Sequence, residues 1–291
     1  MNLACCKNIS GQGVTILCNL CKYLKVLELR GCNRILNLEL NSVSLILLNL
    51  SNCINLNNSS ICSIQCPNLN QLYLSGCNAI DDISINSLLS KSKHISILDL
   101  SYCNIIDPLL VNLDKLSVLY LTGCSKLSPS FFSKLSTFSH CLKEVDLKGT
   151  SSTLDDCIDM LTRSIYLSKS IKSTHLYSST IETINLSRCT NITSISIQYL
   201  TERCSNLKYL DISWCVNITD LSLLYISHYN STHYPNGLDT LKIFGCSQLT
   251  TNAIQNLQHT SPKLTIKCIM VRDNLKNIYI KIFRILEIGP N

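Results

Sequence analysis

The chain has 291 residues, of which 46% are hydrophobic and 15% are charged, and its formal net charge is +6. This composition excludes a disordered chain, because so many apolar residues can form a buried core. The mild positive charge does not indicate a nucleic-acid-binding or membrane-surface protein. The 18 cysteines are the feature of the composition that needs an explanation.

The start of the chain, MNLACCKNISGQGVTILC, lacks the continuous apolar stretch and the positive leader of a secretory signal. No segment approaches the roughly 20 apolar residues that are needed to cross a bilayer. We therefore expect a soluble protein of the cytoplasm or the nucleus, without membrane contact. Cysteines stay reduced in that environment.

A nine-residue phrase, L-x-x-L-x-L-x-x-C, recurs along the chain from residue 24. Successive phrase ends are 21 to 39 residues apart, and four of the nine steps are 26 residues. Alternate residues of a strand face the same side, so each phrase predicts a short strand with one buried face. Ser, Thr or Asp and then an apolar stretch with helical spacing come after most phrases, which predicts a helix. The phrases end at Cys6 (a partial phrase), Cys32, Cys53, Cys77, Cys103, Cys124, Thr150, Cys189, Cys215 and Cys246.

One strand–turn–helix unit cannot cover its own apolar face, whereas stacked units can. The sequence therefore predicts an α/β fold, a right-handed solenoid or horseshoe of about ten repeats over residues 1–270. Its parallel strands are expected on the concave face and its helices on the convex face.

The repeat also accounts for most of the cysteines. A reduced cysteine is a compact hydrophobe with a weak donor, which suits the turn after each strand. Twelve of the 18 occupy repeat positions, nine at phrase ends and three, Cys21, Cys66 and Cys204, just before a strand. Cys18 and Cys21 form a C-x-x-C, but no second pair lies at a ligand-like spacing, so we expect no metal and no cofactor.

The phrases, together with CPNL (Cys66–Leu69) and CSNL (Cys204–Leu207), resemble the cysteine-containing leucine-rich repeat of the F-box and leucine-rich-repeat proteins and of the antagonists of the mitotic exit network. The resemblance implies a non-catalytic horseshoe that binds a protein partner on its concave face. It also implies substrate recognition for an SCF-type ubiquitin ligase, with the ligase adaptor bound through a missing N-terminal segment, since no recognisable F-box precedes the repeats. The alternatives are a scaffold or regulatory adaptor without an F-box and, in another class, an enzyme or GTPase activator.

Two long steps and the end of the chain interrupt the repeat. Residues 163–179, rich in Ser, Lys and Thr, predict a solvated insertion; the alternative is a regulated loop that a phosphate beside Lys169 or Lys172 would order. Residues 228–237, HYNSTHYPNG, predict an extended loop. Residues 271–291 leave the pattern and predict a tail or a cap.

The residues between the strand leucines, and those just before each phrase end, are expected to line the concave face. Aromatic residues and arginine are enriched in protein-binding hot spots, whereas a nucleic-acid groove would carry more Lys and Arg. We therefore predict a protein partner, with an ordinary solvated strand position as the alternative for each residue. Trp214, the only tryptophan, is the strongest candidate. The predicted binding residues are Arg30, Tyr73, Asp99, Tyr102, Tyr120, Asp146, Arg188, Asp211, Trp214, Lys242 and Phe244.

Overall fold

The computed structural model describes residues 1–108, 113–138, 141–163 and 179–268. The predicted tail at 271–291 and nearly all of the predicted insertion at 163–179 lie outside the described residues, so the domain limits stay predictions. The described helices are α1 (Gly11–Leu20), α2 (Asn58–Cys62), α3 (Asp82–Lys91), α4 (Pro129–Phe138), α5 (Asp155–Thr162), α6 (Ser194–Arg203), α7 (Asp220–Thr232) and α8 (Thr251–Thr260). The described strands are β1 (Val26–Glu28), β2 (Leu40–Asn41), β3 (Leu47–Asn49), β4 (Ile64–Gln65), β5 (Gln71–Tyr73), β6 (Ile97–Asp99), β7 (Val118–Tyr120), β8 (Glu144–Asp146), β9 (Thr183–Asn185), β10 (Tyr209–Asp211), β11 (Thr240–Lys242) and β12 (Thr265–Lys267).

Ten of the strands form one parallel sheet in the order β1-β3-β5-β6-β7-β8-β9-β10-β11-β12, and β2 pairs with β4 separately. Leu27 of β1 lies beside Leu48 of β3, which lies beside Leu72 of β5, and all three are fully buried. The alternation of the phrase thus places one side of every strand in a continuous core between the sheet and the helices. The predicted α/β solenoid with parallel strands is confirmed.

The correspondence between phrases and strands has two exceptions. The partial phrase that ends at Cys6 forms no strand and reaches the sheet through an isolated bridge from Asn2 to Glu28. The tenth strand, β12, comes instead from a segment that lacks the phrase. The only sequence signal for it is Ser261-Pro262-Lys263-Leu264, which has the form of CPNL before β5.

The length of a repeat determines which element comes after its strand. Several 26-residue repeats hold a ten-residue helix, and α3 begins after Asp81, whose side chain accepts from the backbone N–H of Ser84. In the 21-residue step from Cys32 to Cys53, the chain between β1 and β3 forms only the two-residue strand β2, because little chain remains after the front strand and its turns. The loop predicted at 228–237 is shorter than expected: α7 continues to Thr232, since Pro235 and Gly237 interrupt the backbone only beyond that point.

The residue before each phrase end adopts a positive φ in every repeat. Left-handed backbone costs a non-glycine residue roughly 1–2 kcal/mol, so this turn is a requirement of the fold. Glycine meets the requirement at five of these positions, with φ between +66° and +74°, and other residues meet it at the remaining five, with φ between +57° and +63°. The two sets are Gly31, Gly76, Gly123, Gly149 and Gly245, and Cys5, Asn52, Tyr102, Arg188 and Trp214.

The phrase-end thiols connect each repeat to the one before it. Cys53 Sγ donates to the Leu29 carbonyl oxygen at 3.2 Å, and Cys215 Sγ donates to that of Leu186 at 3.1 Å. Burial raises the pKa of Cys53 to about 11, so the thiol keeps the proton that it donates. The same bond, at 3.0 to 3.2 Å, is made by Cys32, Cys77, Cys103, Cys124, Cys189 and Cys246.

Three of the repeat positions depart from this pattern. Thr150 donates to the carbonyl oxygen of Leu147 in its own repeat, because its hydroxyl lies on a shorter side chain than a thiol. Cys6 and Cys21 are exposed, whereas the other ten cysteines at repeat positions are buried. Both belong to the first repeat, against whose outer side no described helix packs.

Acidic residues at the helix starts make a second set of connections between repeats. Asp155 Oδ1 accepts from the backbone N–H of Thr193 at 2.9 Å, and its Oδ2 accepts from the Thr193 hydroxyl at 2.7 Å. Asp220 binds Thr250 of the next repeat in the same way, at 2.8 and 2.7 Å. The helices are therefore held in register by hydrogen bonds as well as by apolar packing.

Candidate protein-binding face

The residues between the strand leucines form an aligned row across the outer face of the ten-stranded sheet. Tyr73 pairs with Asp99, Asp99 with Tyr120 and Tyr120 with Asp146, on four successive strands. The row continues through Asn185, Asp211 and Lys242. Parallel neighbours lie about 4.8 Å apart, so the structure brings together residues that the sequence separates by 21 to 39 positions.

The acidic members of this row also stabilise the turns that come after their strands. Asp99 Oδ1 accepts from the backbone N–H of Ser101 at 2.9 Å, and Asp146 Oδ1 accepts from that of Lys148 at 2.8 Å. Asn185 makes the same bond to Ser187 at 3.0 Å. This turn-stabilising role was missed at the level of sequence, although the recurrence of Asp or Asn at one repeat position is a signal for it.

Asp211 does not fit the expectation of an exposed binding residue, because it is only 8% exposed. Its Oδ1 accepts from the Ser213 N–H at 3.0 Å, and its Oδ2 lies 3.8 Å from Lys242 Nζ. The ammonium of Lys242 also stands 5.1 Å from the centre of the Tyr209 ring. Hydrogen bonding to Tyr209 and the charge of Asp211 raise the pKa of Lys242, so these side chains already satisfy one another.

A second row on the same face was absent from the sequence prediction. It comprises the residue two positions before the first row, which strand alternation places on the same side. Its apolar members are half-exposed or exposed at the β1, β3, β6 and β7 positions, and Glu144 and Tyr209 belong to it as well. The row consists of Val26, Leu47, Gln71, Ile97, Val118, Glu144, Thr183, Tyr209, Thr240 and Thr265.

The two rows combine at the centre of the sheet into what we call the tyrosine–carboxylate patch, formed by Tyr73, Asp99, Tyr120, Glu144 and Asp146. Burial raises the pKa of Tyr73, and the charges of Asp99 and Glu28 raise it further. Burial and then the neighbouring Glu144 carboxylate raise the pKa of Tyr120. Both phenols therefore keep their protons beside the three carboxylates.

Two aromatic rings stand at the sheet edge, at the left-handed turn position. Tyr102 is 57% exposed and Trp214 is 53% exposed. Each ring lies on the glycine of the next repeat: a Cβ on Gly123 would come within 2.6 Å of the Tyr102 ring, and one on Gly245 within 2.5 Å of the Trp214 ring. Each ring and the glycine beneath it both lie at left-handed turn positions. Because the ring rests on that glycine, it presents a fixed aromatic surface to solvent.

The other predicted residues border this surface. Arg188 is exposed and occupies the left-handed turn position between Tyr102 and Trp214. Arg30, exposed, and Phe244, half-buried, each lie one residue before that turn position, as their place in the phrase predicts. The predicted binding residues thus form two groups, those on the strands and those at the turns after the strands. Asp211 belongs to the first group but is buried.

Within the described ranges, no three His, Cys, Asp or Glu side chains lie close enough together to hold a metal ion. The same part of the chain contains no helix that is both long and apolar enough to span a bilayer. The groups available on the candidate face are therefore aromatic rings, carboxylates, hydroxyls and a few cations.

The first two comparisons with known proteins agree with the architecture. A family model described as Leucine Rich repeat matches residues 91–108 and 203–227, each of which contains one phrase. A chain of the crystal structure of the Rad7 and Elc1 complex in yeast is similar over 89% of this chain and 88% of that chain, with 18% identity and a TM-score of 0.50. The internalin InlF from Listeria monocytogenes is similar over 86% of this chain and 61% of that chain, with 18% identity and a TM-score of 0.38. The fold is that of a leucine-rich-repeat protein.

Proposed function

We propose that this protein is a non-catalytic interaction module that holds a protein partner on the outer face of its sheet. The observation that carries the proposal is the Trp214 ring, half-exposed and held on Gly245 in a backbone conformation that disfavours a large side chain. The left-handed turn belongs to every repeat, so what distinguishes the Trp214 and Tyr102 repeats is the large exposed aromatic ring at that position. Tyr102, Arg188 and Trp214, the three large residues at the left-handed turn position, are also of the types that dominate protein-binding hot spots.

We further infer that the partner is a substrate of an SCF-type ubiquitin ligase, with the ligase adaptor bound by a segment outside this chain. Two observations support this: the phrases resemble those of F-box and leucine-rich-repeat proteins, and a chain of similar fold was crystallised in the Rad7 and Elc1 complex. A pull-down of the full-length transcript product with an SCF adaptor tests it. Partner binding without adaptor binding would favour the scaffold or regulatory adaptor.

Photo-crosslinking locates the partner. A photoreactive amino acid is placed at Trp214 and, as the control, at Leu224, which is 66% exposed on α7. Partners that crosslink from position 214 and not from 224 are identified by mass spectrometry, purified and titrated by calorimetry. Crosslinks from Leu224 alone would contradict the proposal.

The titration is repeated with Trp214→Ala and with Leu224→Ala. A hot-spot residue contributes about 2 kcal/mol or more, so Trp214→Ala should weaken binding about 30-fold, with little change in thermal stability. Leu224→Ala should change affinity less than twofold. Unchanged affinity together with a large loss of stability would show that Trp214 only packs against the repeat.

A further inference from the structure

The sheet carries an arrangement of three side chains that shows how it accommodates an ammonium group. Lys242 Nζ lies beside the Asp211 carboxylate and over the Tyr209 ring, at 3.8 Å and 5.1 Å. Tyrosine and carboxylate are both satisfied by this lysine, through cation–π attraction and ion pairing. The Tyr209 ring and the Asp211 carboxylate therefore need no cation from a partner.

The tyrosine–carboxylate patch has the same residue types, with uncharged donors in place of the lysine. Asp146 accepts from the Thr122 hydroxyl at 2.8 Å and from the Asn185 side-chain amide at 2.9 Å. Tyr73, Asp99 and Tyr120 alternate on adjacent strands, and Glu144 and Asp146 lie on the next strand, β8. Only one cation occurs at the outward positions of these four strands and of the turns that come after them. It is Lys148, which is exposed and lies two residues after the end of β8. Lys143, nearby, is paired with Glu182 at 2.9 Å. The patch is thus a locally negative surface on a chain whose net charge is +6.

We propose that the tyrosine–carboxylate patch binds a lysine- or arginine-containing extended segment of the protein partner. This inference rests on the proposed interaction function and names the chemistry that the face selects. Charge complementarity favours a basic segment, because three carboxylates and two neutral phenols line a surface about 14 Å wide over four strands. Four or five extended residues span that width. Tyr102, exposed at the end of β6, adds an aromatic surface at the edge.

The repeats themselves supply neutral replacements that preserve the fold. Asn49 occupies the position of Asp99 and accepts from the Ser51 N–H at 3.0 Å, so Asp99→Asn keeps the turn. Gln71 occupies the row of Glu144 and accepts from the Tyr73 hydroxyl at 3.3 Å, so Glu144→Gln keeps an acceptor for a phenol. The matched control is Asp156→Asn with Glu202→Gln, two exposed carboxylates on α5 and α6. Both double variants remove two negative charges.

The probe is a fluorescein-labelled 12-residue peptide of alternating lysine and glycine, and its counterpart contains glutamate in place of lysine. Fluorescence anisotropy at 50 mM salt should show binding of the lysine peptide, which weakens at 500 mM. D99N/E144Q should weaken binding about tenfold, and D156N/E202Q less than twofold. Equal losses from the two double variants, no loss from D99N/E144Q, or tighter binding of the glutamate peptide would overturn the inference.

The partner identified by crosslinking separates the two proposals. If it binds D99N/E144Q as tightly as the unaltered protein while Trp214→Ala weakens it, the basic-segment inference fails and the interaction function stands. If D99N/E144Q weakens binding of the lysine peptide but no partner crosslinks from position 214, the interaction function fails and only the affinity of the patch for basic peptides remains. Circular dichroism of both double variants confirms that they fold.

Discussion

Replacing Gly245 by alanine should lift the only tryptophan of the chain off the repeat that supports it. Two costs are expected. The backbone φ of +66° costs an alanine roughly 1–2 kcal/mol, and the new Cβ would lie 2.5 Å from Trp214 Cε3. Overpacking of that kind typically costs about 1–3 kcal/mol, and because Trp214 is half-exposed its ring can relieve the contact by moving towards solvent.

Gly149→Ala is the matched control, because Gly149 also has a φ of +66° but a Cβ there meets nothing within 4 Å. It should therefore lose only the backbone contribution. Urea denaturation followed by far-ultraviolet circular dichroism measures both losses. The emission of Trp214 reports the ring alone, since the chain has one tryptophan, and it should shift to the red and become more accessible to acrylamide only in G245A. Equal destabilisation by the two variants with unchanged emission would refute the stacking argument.

Two further predictions concern the connections between repeats. In the folded chain Cys53 and Cys189 have pKa values of about 11 against an ordinary 9.0. Above pH 9 the unfolded chain therefore binds fewer protons than the folded chain. The free energy of unfolding should fall as pH rises from 9 towards 11, by up to about 1.4 kcal/mol per thiol and pH unit. Urea denaturation measures this, and constant stability across that range would contradict the burial of the phrase-end thiols. Asp155→Ala should lower the free energy of unfolding by roughly 2–4 kcal/mol, because it leaves the Thr193 N–H and hydroxyl without their acceptor. The control is Asp156→Ala, at an exposed neighbouring residue, which should change the free energy of unfolding by less than about 0.5 kcal/mol. Thermal melts measure both.

The strands could be predicted from the sequence because their signal is local. Leu27 and Leu29 alternate with outward residues within a few positions, and that pattern is enough to define the buried side. Strand β12 was missed because it lacks most of the leucines and is held in the sheet by pairing with β11. The end of α7 at Thr232 was missed because the residues that signal a turn, Pro235 and Gly237, come only after the helix has ended.

The candidate face was harder to predict, because its properties depend on neighbouring repeats. The sequence placed Tyr73 and Asp99 on one surface, but it could not show that Asp99 also caps a turn or that Lys242 covers Asp211. Nor does the sequence alone identify the left-handed position, since half of its occupants are not glycine. The pairing of Trp214 with Gly245 emerges only when two repeats are stacked.

The rear layer of the solenoid changes along the chain, and this change affects the shape offered to a partner. In the rear layer β2, which comes after β1, pairs with β4, which comes after β3, and their spacing of about 4.8 Å equals that of the front sheet. Further along, α5, α6, α7 and α8 contact one another in succession, and packed helices stand about 8–10 Å apart. Equal spacing front and rear produces little bend, whereas unequal spacing curves the sheet. We therefore expect the sheet to bend less near Arg30 than around Trp214.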